Sequence, residues 1–179
     1  MILNGSSSKL LPAKLGSMIR LACLLGVAML LAADAASAAT ITRHANTTTY
    51  ALTLDVGPLE AMYTAAEVKS KHPTSGEVMV GSMGTGMSMG AGNRHLEVHI
   101  LSRATGKVVM DVVPTIGIRD KTAMTSMAMT VKVAVVAMEG VGSGGSDFHY
   151  GNNVKLTAGH VYEVVVTVNK QTASFTFRA

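Results

Sequence analysis

Two imidazoles and a carboxylate alternate through Arg94-His95-Leu96-Glu97-Val98-His99-Ile100. Alternation of this kind is the mark of a β-strand, so Leu96, Val98 and Ile100 are expected to face a core while His95, Glu97 and His99 share the opposite face. Side chains two apart on a straight strand stand about 7 Å apart, so the three cannot close around one ion unaided. Any one or two of them can bind a metal with ligands from elsewhere. The same pattern also suits the solvated face of an antiparallel sheet.

Methionine is the second unusual feature. Met83, Met87 and Met89 sit in the glycine-rich stretch "GSMGTGMSMGAGN", where no regular element is expected to bury them. Thioether sulfur is a soft ligand suited to Cu(I), whereas imidazole serves copper, zinc, iron and nickel. The loop therefore reads either as copper-accessible or as an adaptable apolar contact. A second group, Met124, Met127 and Met129, is better suited to a core or interface, with Met129 expected on the buried face of its strand. A third candidate is His149 in "SDFHYGNN", read as a loop in which the histidine either binds or braces a turn before Gly151.

The elements that must position these residues are mostly strands. "YALTLDV" from Tyr50, "EVMV" from Glu77, "RHLEVHILS", "VVMDVVPTIGIRD", "MAMTVKVAVVAM", "VYEVVVTV" and "ASFTF" give about seven, with a hairpin turn at Asn169-Lys170-Gln171. Pro114 marks the fourth of these as an edge or bulged strand. Pro58 is expected to open one short helix near the N-terminus, running through "LEAMYTAAEVKSKH" and ended by His72-Pro73. "LTAGHVY" resembles a tyrosine corner, so the fold class expected is all-β, an immunoglobulin-like Greek-key β-sandwich. With Phe and Tyr numbering three and four, its core is aliphatic.

Upstream, Lys9, Lys14 and Arg20 precede an apolar run from Leu21 to Ala33, and Ala36-Ser37-Ala38 follows. That order is an export signal, and the run is short against the ~20 apolar residues of a membrane span. The expected domains are a signal peptide over 1–38, with Met18 an alternative start, a flexible threonine-rich lead-in over 39–49, and one sandwich over 50–179. Localisation is then extracytoplasmic, periplasmic or secreted, with no membrane span in the mature chain. The only cysteine, Cys23, lies within the signal, so the mature chain has neither disulfides nor thiolate ligands. From Ala39 onward twelve basic and ten acidic residues remain, a balance that gives no reason to expect nucleic acid. No nucleophile elbow, zinc-protease motif or phosphate loop is present, and no enzymatic activity is expected.

Taken together, "HLEV" at 95–98, a methionine ending a later strand and "HYGNNV" at 149–154 resemble the periplasmic Fe²⁺-transport protein family, over about residues 94–168. The resemblance implies an exported immunoglobulin-like sandwich that binds copper and assists iron uptake, typically as a homodimer working with a membrane transporter. By resemblance the metal ligands are His95, Glu97, Met138 and His149, with His99 and the sulfurs of Met83, Met87 and Met89 as additional donors. Where the family carries a further histidine in a long late insertion, this chain has the tight turn at Asn169. Copper is thus the expected metal, with iron second, in acquisition or tolerance. The alternative is a secreted β-sandwich that serves protein contacts without metal.

Overall fold

The alternation in Tyr50–Pro58 buries Leu52, Leu54 and Val56 and leaves Thr53 and Asp55 on the other side. The same rule repeated along the chain builds two sheets. The computed structural model describes residues 39–81, 91–122 and 129–179. The signal segment, Met83, Met87, Met89, Met124 and Met127 lie outside the described residues.

In chain order the elements are β1 (Ile41–Asn46), β2 (Tyr50–Pro58), β3 (Met62–Tyr63), α1 (Ala65–Lys71), β4 (Glu77–Met79), β5 (Arg94–Ser102), β6 (Thr115–Asp120), β7 (Val131–Lys132), β8 (Val136–Gly140), a 3₁₀ turn (Gly144–Asp147), β9 (His149–Val154), β10 (Val161–Val168) and β11 (Gln171–Arg178). One sheet has the order β1-β2-β5-β9-β8-β4-β3 and the other β11-β10-β6-β7. Leu54, Leu96, Val98 and Tyr150 from the first sheet join Ile116, Val164, Val166, Phe175 and Phe177 from the second in one buried cluster. This is an all-β sandwich with a mainly aliphatic core. Among the described residues, no helix is long and apolar enough to cross a membrane.

The tyrosine corner is present: the Tyr162 hydroxyl accepts a hydrogen bond from the Thr157 backbone N–H at 2.9 Å. It pins the chain as it enters β10. The β10–β11 hairpin turns through Asn169 and Lys170, both at positive φ (46° and 66°), as a two-residue type I′ turn requires.

Four expectations are corrected. The threonine-rich stretch taken as a flexible lead-in contains β1, which pairs with β2 from Ile41↔Val56 to Asn46↔Ala51; Ile41 and Ala45 pack against the core. The helix starts at Ala65 and not at Pro58, which ends β2. Its start is set by a capping box: Thr64 Oγ1 accepts from Glu67 N–H at 3.2 Å, and a Glu67 oxygen accepts from Thr64 N–H at 2.9 Å. The stretch from Met129 does not run as one strand. It is split between β7 in the smaller sheet and β8 in the larger, so the alternation slips across Val133–Val135. Met129 and Val131 are therefore exposed (77% and 62%), and Val136 and Met138 are buried. Lastly, "HYGNNV" is no loop but β9, a central strand. With β3, which occupies Met62–Tyr63 within the expected helix, these additions raise the number of strands from about seven to eleven among the described residues.

Tyr162→Phe removes the partner of Thr157 N–H while keeping the ring. It should lower stability by about 1 kcal/mol with an unchanged denaturant slope, as measured by urea unfolding.

Candidate metal centre

The outer face of the larger sheet gathers the candidate residues through strand register. On β5 and β9, His95 pairs with Asn153 and Glu97 with Gly151. On β8 and β9, Met138 pairs with His149, and on β4 and β8 Met79 pairs with Met138 and Glu77 with Gly140. On the other side, β2 sets Asp55 beside Glu97 and Thr53 beside His99. Paired residues point to the same face with Cβ atoms about 4.5–5.5 Å apart. Gly151 is essential to this layout. A Cβ there would lie 1.8 Å from the Leu96 carbonyl oxygen, so only glycine lets β9 approach β5 this closely.

The result is a cluster of His95, His149, Glu77 and Glu97 in which one donor atom from each lies within 4.8 Å of all the others. His149 Nε2 stands 3.4 Å from Glu77 Oε2, and His95 Nε2 stands 3.8 Å from Glu97 Oε1. The imidazole rings of His95 and His149 meet edge to face with centroids 6.0 Å apart. Both histidines are fully buried, and the chain around Glu60–Met62 lies against the Asn153 that pairs with His95: Asn153 Nδ2 donates to the Glu60 carbonyl at 3.0 Å and lies 3.7 Å from Met62 Sδ. Met62, Met79 and Met138, with Val136, form a small apolar cluster of their own on this side of the sheet.

Hydrogen bonds at the far side of each ring decide which nitrogen faces inward. A carbonyl oxygen only accepts, so His149 Nδ1 must donate to Asp147 O (2.8 Å). Asn153 spends its amide hydrogens on Glu60, which turns its oxygen toward His95 Nδ1 at 2.9 Å. In the neutral ring each Nε2 is then a bare lone pair. Those lone pairs face carboxylate oxygens, and His95 Nε2, His149 Nε2 and Glu77 Oε2 are all buried without a hydrogen-bond partner. Acceptor faces acceptor, an arrangement that is unfavourable unless a proton or a cation sits between.

The titration behaviour reflects this crowding. Burial, reinforced by the charges of Glu97, Asp147 and Glu60, pushes the Glu77 carboxyl up to about 7. Burial also lowers the pKa of His149 below its ordinary value. At Glu97 burial works in the opposite sense, but the interaction with His99 and the nearby imidazoles outweighs it and the carboxyl stays below its ordinary value. His99 is held above its ordinary value: burial opposes its charge, and Glu97 and Asp55 prevail.

Of the expected ligands, the structure brings His95, Glu97 and His149 together. It places Met138, fully buried, beside His149 in the register. His99 lies next to them, its ring centroid 5.2 Å from that of His149. Glu77 was missed by sequence reasoning. It lies in a three-residue strand, and only the β4–β8 pairing carries it to the cluster. Comparison with known proteins gives no match: no protein-family model fits the chain, and no characterised protein matches its sequence.

Glu77→Gln should remove a pH-dependent destabilisation of the metal-free protein. The folded carboxyl titrates near 7 against an ordinary value of 4.5. The unfolded chain therefore loses this proton first, and parent stability falls as pH rises between those values. At pH 8 the variant should be more stable than the parent by on the order of 3 kcal/mol, a gap that closes toward pH 4.5. Urea unfolding of both proteins across that range measures it.

Proposed function

We propose that this chain is an extracytoplasmic metal-binding protein that takes up copper, in acquisition or tolerance of copper or iron. The observation that carries the reading is the set of buried, unpartnered donor atoms, Glu77 Oε2, His95 Nε2 and His149 Nε2, converging with Glu97. A cation at their centre satisfies all of them at once. Metal–ligand bonds of about 2.1 Å in a tetrahedral site put donors about 3.4 Å apart, close to the 3.4 Å between His149 and Glu77 and the 3.8 Å between His95 and Glu97.

The donor chemistry favours copper. Imidazole and carboxylate accept several divalent metals, and among these Cu²⁺ binds most tightly. Met138, with Met62 and Met79 close by, adds soft sulfur on the same side of the sheet, which suits Cu(I). The binding residues are His95, His149, Glu77 and Glu97, with Met138 as the sulfur donor. Export is supported by the charged, apolar and small-residue order over 1–38. The resemblance of the "HLEV" and "HYGNNV" motifs to the periplasmic Fe²⁺-transport proteins supports delivery to a membrane transporter and a homodimeric assembly. It also supports a binding role over an enzymatic one.

A second reading, a secreted sandwich for protein contacts, draws on the exposed Met129 and Val131 beside and on the edge strand β7. Metal titration separates the two. The compact unit Ala38–Ala179 lends itself to this test in isolation. Residues 39–179 should bind Cu(II), and Cu(I) under reducing conditions, in stoichiometric amount, and His95→Ala with His149→Ala should abolish that uptake. Retention of parental affinity by the double variant would reject the proposal. Protons compete for Glu77 and the imidazoles, so affinity should fall as pH drops from 8 to 6. Competition with a chelator of known affinity at each pH measures the slope.

A further inference from the structure

Outside the buried quartet lies a second convergence that shares one of its members. His99 Nε2 is 3.4 Å from Glu97 Oε2 and 3.8 Å from Asp55 Oδ2. Asp55, Glu97 and His99 again offer donor atoms all within 4.8 Å of one another. Their side chains are partly open to solvent (20%, 21% and 25%), in contrast to His95 and His149. Asp55 is held in place from behind, since its other oxygen accepts a hydrogen bond from the Thr42 hydroxyl.

Glu97 connects the two groups. One of its carboxylate oxygens faces His95 in the buried group and the other faces His99 in the outer group. A carboxylate so placed is a bridging ligand, and bridged ion pairs stand about 3.5–4 Å apart. Charge points the same way. The three overlapping groups contain four carboxylates, Asp55, Glu77, Glu97 and Asp147, around three imidazoles, His95, His99 and His149. One divalent ion leaves these carboxylates in excess by two charges, and a second balances them.

We infer that the outer trio Asp55, Glu97 and His99 is a second metal position, bridged through Glu97 to the buried one, so that each chain holds two divalent ions. The inference rests on the metal-binding reading of the buried site and extends it. The outer position is the one open to solvent, so it is also where an incoming ion first meets the protein. The buried position then fills by transfer across Glu97.

The test is a Cu(II) titration of residues 39–179 in the presence of a weak competing chelator, followed by bound metal per chain and by electron paramagnetic resonance. The parent should bind two ions. The first should give an isolated Cu(II) signal, and the second should diminish it as the bridged ions couple. Asp55→Ala with His99→Ala should bind one ion, with the first-ion spectrum unchanged. Asp55→Asn with His99→Gln, which preserves side-chain size, should do the same if the alanine pair folds poorly. A parent that saturates at one ion overturns the second position and leaves the buried site standing. Two ions retained by a folded outer-trio variant also overturn it. A parent that binds none rejects the buried site and this inference together.

Discussion

The close pairing of β9 with β5, made possible at Gly151, is the constraint on which the rest of the structure depends. Any side chain at that position would collide with the Leu96 carbonyl. With glycine there, β9 lies in the middle of the larger sheet, and its two faces do different work. Tyr150 and its neighbours on one face join the core shared with the second sheet, where Leu96 and Val98 pack. His149 and Asn153 on the other face meet His95, Glu97 and Met138. Weakening this pairing would therefore loosen the core and disperse the cluster together.

The cluster itself works against folding. Two imidazole nitrogens and a carboxylate oxygen are buried without partners, and burial raises the pKa of Glu77 accordingly. Such a cost persists only where surrounding structure determines the geometry. Here that structure is substantial. The large sheet supplies the positions by register, Asp147 and Asn153 lock the rings from behind, and the Glu60 carbonyl in turn holds Asn153. Donor atoms arranged this way are preorganised, so a cation placed among them would gain the full interaction without having to order them.

The gradient from buried to exposed donors is built from the same alternation. Each row of the outer face crosses several strands, and the exposed end of one row, Asp55 and Glu97, leads to the enclosed centre at Gly151. Next to it His149 pairs with Met138, and the His99 ring centroid lies 5.2 Å from that of His149. The sheet thus carries a graded series of donor atoms, from oxygen and nitrogen at the surface to sulfur within.

Much of the fold could be read directly from the sequence. Period-two alternation identified β2, β5, β10 and β11, the Asn169–Lys170 turn identified the last hairpin, and "LTAGHVY" marked the tyrosine corner, because each is a local pattern with a local cause. The same alternation placed His95, Glu97 and His99 on one face. Where local signals competed, the reading failed. The glycine and asparagines of "HYGNNV" look like a loop, yet Gly151 is there for a close strand approach. Pro58 looks like a helix start, yet the Thr64 capping box sets it. The stretch from Met129 looks continuous, yet it changes sheets. Only the tertiary structure decided that Glu77 joins His149, that Asp55 stands beside Glu97 and that both histidines present Nε2 inward. Those facts depend on pairing between strands far apart in the chain and on backbone carbonyls such as Asp147 O, which no local pattern encodes.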